Sequence, residues 1–308
     1  MLPPILPTSK ITISPSPLTP SSFHPFGTAI SSPLPATLTR APPASSLPSL
    51  PNTSSRSGPS SLPTPILANQ STALKYSPIS VFQNNYDQCK GAEGHGKGRG
   101  KDGEPRMSMF SCFPRELKRG GGQRRKSSSG LFDVRILERH PYTTQTFIPL
   151  GIPAPVDRKQ HDRGINALST GPRINHDNGG DDDGNNNPTP SYLVIVAPSL
   201  HGQTAQAMTV NSQGRKEQVL IRDPPDLRNM KAFIAHGGQG VTYGAGTWHA
   251  PMVVVGTRRV DFVVVQFVNG VAEDDCQEVE FGEGLVVDVD VDVDVRETEE
   301  YEDEVAKL

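Results

Sequence analysis

The sequence predicts an all-β fold, a single domain diluted by low-complexity insertions. Three observations carry this prediction. The 308 residues include 30 prolines and 29 glycines, with only 34% hydrophobic and 6% aromatic residues. So little apolar surface can offset the ordering entropy of only part of the chain. The apolar residues that exist occur in short, β-branched runs separated by Gly/Pro turns, the pattern of an all-β barrel or sandwich. Helical periodicity is confined to a turn or two near Asp226–Lys231, where Asp226 is placed to cap.

The strand signals follow in order. Residues 67–88 regain apolar character after a Pro/Ser/Thr-rich start, and the island 17–27 (PLTPSSFHPFG) opens the ordered unit. Leu131–Leu137 is apolar and extended, and Thr143–Leu150 is rich in β-branched and aromatic residues. Tyr192–Ala197 (YLVIVA) reads as a short buried strand. Lys231–Ala235, Gly240–Tyr243, Met252–Val255 and Arg259–Val268 continue the series.

Between these runs lie polar, Gly-, Pro- or Asn-rich stretches that read as flexible insertions: 31–66, 89–104, 118–130, 153–190 and 199–220. The domain is expected over 11–282. Residues 283–308, with VVDVDVDVDV and ETEEYEDE, alternate Val with Asp and then turn acidic; they read as a disordered acidic tail. No EF-hand spacing accompanies the aspartates, which excludes a calcium loop.

Several classes are excluded. No apolar run reaches the length of a membrane-spanning helix. A net charge of −3 argues against a nucleic-acid partner. Cys89, Cys112 and Cys276 are far apart and odd in number, so neither a disulfide framework nor a structural zinc site is expected. The N-terminus, MLPPILPTSK, lacks the charged and apolar regions of a secretory signal. A cytoplasmic protein is expected.

Chemistry concentrates in two segments. In Glu138-Arg-His140-Pro-Tyr-Thr-Thr-Gln145, Glu138 and His140 share one strand face, and Gln145 returns after a turn. A carboxylate, an imidazole and an amide on one wall suit a small polar substrate or a metal. In Gly238-Gln-Gly240-Val-Thr-Tyr243-Gly-Ala-Gly246-Thr-Trp248-His249, a Gly-rich turn leads into the only tryptophan and a second histidine.

The two segments resemble the half-motifs of cupin barrels. Gly238, Gly246 and His249 fall in the register of the second motif, with Gly244 and Val253 at its Pro and Asn places. Glu138, His140 and Gln145 stand at the first-His, second-His and Glu places of the first motif, and Gly151 comes one residue early. The resemblance therefore implies a cupin-like barrel. It places Glu138, His140, Gln145 and His249 where cupins hold metal, but two of the four are changed in type and glutamine is a weak ligand. No cofactor is expected on this ligand set.

The phrases LERHPYTTQTFIPLG, YLVIVAP, PPDLRNMKAFIAHGGQGVTYGAGTWHAPM and RVDFVVVQF are similar to the ureidoglycolate lyase family of allantoin degradation. The resemblance implies cleavage of (S)-ureidoglycolate to glyoxylate and urea by a homodimer. It implies catalytic roles for His249, Glu138 and His140, and substrate contacts from Gln145, Lys231, Tyr243 and Trp248. The competing expectations are a non-catalytic protein that kept the barrel, and a metal-dependent cupin-like protein.

Overall fold

The computed structural model describes residues 2–34, 38–50, 62–89, 103–118, 130–150, 191–236, 238–255 and 258–289, and strand dominates among them. In chain order the first strands are β1 (Ile5–Leu6), β2 (Ile11–Ile13), β3 (Ser16–Pro17), β4 (Gly27–Ile30), β5 (Ile66–Ala68), β6 (Ala73–Lys75), β7 (Glu104–Cys112), β8 (Gly130–Asp133), β9 (Ile136–Arg139) and β10 (Gln145–Leu150). They continue as β11 (Ser191–Ala197), β12 (Thr204–Val210), β13 (Lys216–Arg222), β14 (Lys231–His236), β15 (Gly240–Tyr243), β16 (Trp248–His249), β17 (Val253–Val255), β18 (Val260–Val268), β19 (Gln277–Phe281) and β20 (Leu285–Val289).

Two sheets form the frame. The larger has the order β13-β12-β1-β19-β9-β16-β11-β14-β3, with β17 also on β11; the smaller has the order β4-β15-β10-β18-β7. They pack face to face. One core, with Tyr192, Val194, Val196, Phe233, Phe147, Tyr243 and Phe262, fills the space between them. The opposite face of the larger sheet buries Leu193, Ile195, Ile234, Trp248, Leu137 and Val279 in a second core, closed by β20 and β8. β11 is therefore buried on both sides, which explains its uninterrupted YLVIVA run. This two-sheet architecture agrees with the all-β, cupin-like expectation. The predicted turn near 226 is present: Leu227–Asn229 is a 3₁₀ turn, and the Asp226 carboxylate accepts from Arg228 N at 3.1 Å.

Several expected boundaries differ in the structure. Residues 199–220 do not form a loop throughout, because β12 and β13 make an antiparallel hairpin from Thr204↔Arg222 to Val210↔Lys216. Their polar side chains alternate with Ala207 and Thr209, which are buried, and with Val219 and Ile221, which pack on the core. One strand face exposed to water looks like a polar insertion by composition alone. The turn at the hairpin tip is set by Asn211, whose Oδ1 accepts from Gln213 N and Arg215 N at 3.0 Å each.

The acidic tail begins later than expected. Residues 285–289 are β20, parallel to β2 and antiparallel to β8, with Leu285, Val287 and Val289 buried. The Val/Asp alternation at this point is thus a strand with its valines turned inward. The N-terminal boundary also moves, since Ile5 and Leu6 pair in parallel with Glu280 and Phe281. Within 31–66, Ala44–Ser49 forms a 3₁₀ turn with Leu47 buried, and Ile66 opens β5. Glu104 and Gly130 each begin a strand. Residues 51–61, 90–102, 119–129, 151–190 and 290–308, which carry most of the remaining expected insertions and the rest of the tail, lie outside the described residues.

Candidate active site

Strand register builds the site. On the larger sheet a single row runs Lys231, Val196, His249, Glu138, Glu278 across β14, β11, β16, β9 and β19. On the smaller sheet the matching row runs Gly27, Tyr243, Gln145, Gln266, Arg106 across β4, β15, β10, β18 and β7. Residues paired in register share a face. Both rows point into the gap between the sheets, because their strand neighbours Phe147, Phe262, Val264 and Phe233 belong to the core there. The rows meet where Tyr243 stacks on His249, ring centroids 3.9 Å apart and 10° from parallel.

Polar contacts across the gap are direct. His249 Nε2 lies 3.1 Å from Gln145 Oε1 and 3.4 Å from Glu138 Oε1, and its Nδ1 lies 3.1 Å from the Thr247 carbonyl. Gln145 Nε2 donates to Gln266 Oε1 at 2.6 Å, which turns the amide oxygen toward His249. The Nδ1 of His249 thus faces the Thr247 carbonyl, and its Nε2 is shared between Gln145 Oε1 and Glu138 Oε1. Burial works to raise the Glu138 carboxyl, but the hydrogen bond and charge of His249, with His140, outweigh it and hold the group below its ordinary value.

His140 is the complementary case. Its Nδ1 donates to the Asp275 carbonyl at 2.5 Å, which leaves an Nε2 lone pair that is buried without a hydrogen-bond partner. The ring lies 5.6 Å from that of His249. Burial first, and the neighbouring His249 second, lower its proton affinity below that of an ordinary imidazole. A neutral histidine with one free lone pair in an enclosed site is suited to take a proton. Asp275 is itself pinned: its carboxylate accepts from Tyr86 Oη at 2.6 Å, Asn269 N at 2.7 Å and Gly270 N at 2.9 Å.

Glu138, His140 and His249 each offer one ligand atom within 4.8 Å of the others. Both histidines direct Nδ1 at a backbone carbonyl, and His140 Nε2 has no other use among the described residues. This donor set fits a divalent cation on geometry, since metal-binding histidines commonly present their second nitrogen to a carbonyl.

The structure thus brings together Glu138, His140, Gln145, Tyr243 and His249. Gln145 reaches the site from the opposing sheet and not from the strand face of Glu138. Two expected residues stand elsewhere. Trp248 points into the opposite core, fully buried, with Nε1 donating to the Asp223 carbonyl at 3.0 Å and the Arg139 guanidinium over its ring. It is a core residue, because adjacent strand residues face opposite sides. Lys231 shares the row of His249 but is exposed and separated from it by buried Val196.

Three residues that sequence reasoning missed stand in the rows: Gln266, Glu278 and Arg106. Arg106 lies on the face of β7 that carries Phe110, whose ring packs on Phe147. Gln266 falls within RVDFVVVQF, but nothing in that phrase singles it out; pairing register to Gln145 and Glu138 reveals all three.

Comparison with known proteins identifies the family. The family model described as ureidoglycolate lyase matches residues 10–288. The ureidoglycolate lyase of Schizosaccharomyces pombe is 30% identical over 212 residues, covering 69% of this chain and 75% of that protein. That of Saccharomyces cerevisiae is 28% identical over 228 residues, covering 71% and 80%. A bacterial relative of the same name, from Burkholderia mallei, is 25% identical over 163 residues and is covered over 52% of its length. With the family match spanning both sheets and both rows of the site, the chain belongs to the ureidoglycolate lyase family.

Proposed function

We propose that the protein is a carbon–nitrogen lyase that cleaves (S)-ureidoglycolate to glyoxylate and urea in allantoin and purine breakdown. The observation that carries this is the buried, unpartnered His140 Nε2 beside the Glu138–His249 pair, in a chain of this family. The substrate bears a hydroxyl and a ureido nitrogen on one carbon next to a carboxylate. His140 takes the hydroxyl proton as the C–N bond breaks. His249 and the Gln145–Gln266 amides hold the oxygen and ureido groups, and Tyr243, whose buried Oη has no hydrogen-bond partner, adds a donor. Arg106, exposed at the end of its row, has the planar fork that suits a carboxylate. It replaces Lys231 in that role.

Release of urea and glyoxylate from ureidoglycolate by the full-length protein tests this. A folded sample that releases neither sinks the lyase reading and leaves the binding-protein alternative. A second reading, a metal-dependent enzyme, is favoured by the Glu138/His140/His249 donor set. When bound there, a divalent ion supplies Lewis acidity to the substrate oxygens. Complete loss of turnover on chelation, restored by a divalent ion, selects this second reading; unchanged turnover selects the metal-free one.

The partner proposed beyond the small-molecule substrate is a second copy of the chain. The outer face of the smaller sheet exposes Met107, Met109, Ile148 and Leu150, with Met109, Val263 and Ile148 in one register row. A contiguous apolar patch of this kind marks an interaction surface. Ile148→Glu is expected to convert a dimer into a monomer in sedimentation equilibrium; a monomeric parent protein refutes the homodimer. No helix among the described residues is long and apolar enough to cross a membrane. A cytoplasmic setting is supported by the cysteines Cys89, Cys112 and Cys276, all free.

A further inference from the structure

We propose that Tyr86 is a positioning residue for the reaction: acting through Asp275, it fixes the ring of His140 so that Nε2 is presented to the substrate. The inference rests on the lyase reading above for the role of His140. It adds a residue from a segment that reading does not use.

A histidine that exchanges a proton must be held in one tautomer and one ring orientation. Which nitrogen is protonated is set by the hydrogen bond that the other side of the ring makes. For His140 that bond runs from Nδ1 to the backbone carbonyl of Asp275. A carbonyl is only as well placed as the turn that carries it. Here the turn contains a single helical turn, Ala272–Asp275, with no buried residue. So short a helix does not hold itself.

Side-chain bonds hold it instead. Asp275 Oδ1 accepts from Asn269 N at 2.7 Å and from Tyr86 Oη at 2.6 Å, and Asp275 Oδ2 accepts from Gly270 N at 2.9 Å. Asn269 Oδ1 accepts from Val271 N at 2.8 Å, and its Nδ2 donates to Asp274 Oδ2 at 3.0 Å. Among the described residues, Tyr86 is the only donor to the Asp275 carboxylate from outside this turn. The same hydroxyl lies 3.1 Å from the carbonyl of Phe267, on β18 next to Gln266. Tyr86 therefore sets the turn against the end of the strand that carries part of the site.

The backbone around Tyr86 is fastened to the segment that carries His140. Asn85 N donates to the Tyr142 carbonyl at 2.9 Å. Gln83 N donates to Thr144 Oγ1 at 3.0 Å, and Thr144 N donates to the Gln83 carbonyl at 3.3 Å. The Tyr86 ring is buried, with its centroid 6.1 Å from that of Tyr142. Residues 83–86 are thus stitched to 142–144, between His140 and Gln145. One phenol joins the segment that presents His140 to the turn that receives its Nδ1 proton. Removing the hydroxyl keeps the ring packing but takes from Asp275 its one outside donor. A reacting group displaced by about 1 Å can lose about 10²-fold in rate.

The test is Tyr86→Phe in the full-length protein, beside Ser80→Ala as a control. Ser80 lies earlier in the same segment, and its Oγ donates to Thr242 Oγ1 at 2.8 Å, so its loss loosens the segment without touching Asp275. Tyr86→Phe should lower kcat by about 10–100-fold with KM changed less than about threefold, and Ser80→Ala should leave both within about threefold. Asp275→Asn, which keeps an acceptor oxygen for Tyr86, should retain a kcat between those of the parent and Asp275→Ala. The direct readout is NMR of the protein labelled with ¹⁵N at histidine side chains. The parent should show an exchange-protected Nδ1 proton that is missing in His140→Gln. In Tyr86→Phe that proton should exchange at least about tenfold faster, and in Ser80→Ala it should be unchanged.

A Tyr86→Phe kcat within about threefold of the parent overturns the inference. So does a loss of kcat with the Nδ1 proton unmoved, which removes the route through Asp275. Equal losses in Tyr86→Phe and Ser80→Ala overturn it in favour of general support by the segment, and a raised KM at unchanged kcat overturns it in favour of a substrate contact. A folded parent that releases no urea overturns the lyase reading alone. The Nδ1 proton is read without turnover, and its indifference to Tyr86→Phe overturns the inference separately.

Discussion

Glutamine at position 140 should lower kcat by roughly 10²–10⁴-fold while leaving the fold intact. The argument is geometric before it is electrostatic. His140 Nδ1 is committed to the Asp275 carbonyl, so the free lone pair is on Nε2, and nothing among the described residues uses it. Glutamine preserves a donor toward Asp275 but offers no comparable base. The pH dependence sharpens the expectation. Burial and His249 lower the His140 proton affinity, so the base stays neutral at pH values where an ordinary imidazole, near ~6.5, is charged. The acid limb of kcat/KM should therefore lie below that value.

Stability carries the same sign. The folded imidazole binds its proton less readily than the unfolded one. Its contribution is complete above the unfolded value and is lost as pH falls from there through the folded value. Urea denaturation as a function of pH should show this loss in the parent protein and not in His140→Gln. An acid limb unmoved by His140→Gln, with kcat preserved, removes His140 from the chemistry.

Arg139→Ala should cost about 3 kcal/mol or more and lower the melting temperature by roughly 6–12 °C. All five N–H groups of Arg139 are used: two on Gln277 Oε1, one on Ser199 Oγ, and one each on the carbonyls of Arg222 and Asp223. The guanidinium carbon also lies 4.8 Å from the centre of the Trp248 ring. The side chain is 5% exposed, so truncation leaves several buried acceptors without donors and an unfilled volume beside the indole. Arg139 has a further consequence for the site. It lies between Glu138 and His140 in sequence and points to the opposite side of the sheet, so it fastens from behind the strand that presents both. Arg139→Lys, which keeps the charge without the fork, should recover only part of the stability. A melting temperature within about 2 °C of the parent for Arg139→Ala would refute this account.

The two positions differ in how far sequence exposed them. His140 was legible because Glu-x-His at a spacing of two, followed by Gln145, is a local pattern with a chemical reading. Arg139 carried no such signal. Its four acceptors come from strands and turns sixty to more than a hundred residues away, and a buried arginine in a strand looks like any solvated one until those strands are assembled. Trp248 was misplaced for the same kind of reason. Its neighbour His249 belongs to the site, but strand alternation sends the indole to the other core. The β12–β13 hairpin and β20 were hidden by composition, since a strand with one wet face has the polar content of a loop, and only the partner that buries its other face distinguishes the two.

The sequence by itself determined the all-β class, the family, and the two segments holding Glu138, His140, Gln145 and His249. These rest on local properties: β-branched runs, turn residues and short spacings within one stretch of chain. Only the tertiary structure decided which residues face one another. Lys231 stands exposed beyond Val196, Trp248 turns into the opposite core, Arg106 lies in the row of Gln145, and Glu278 faces Glu138. Pairing register is a relation between distant strands, and a shift of one residue would turn every side chain to the other face. That is why the members of the two rows became visible as a site only after the sheets were paired.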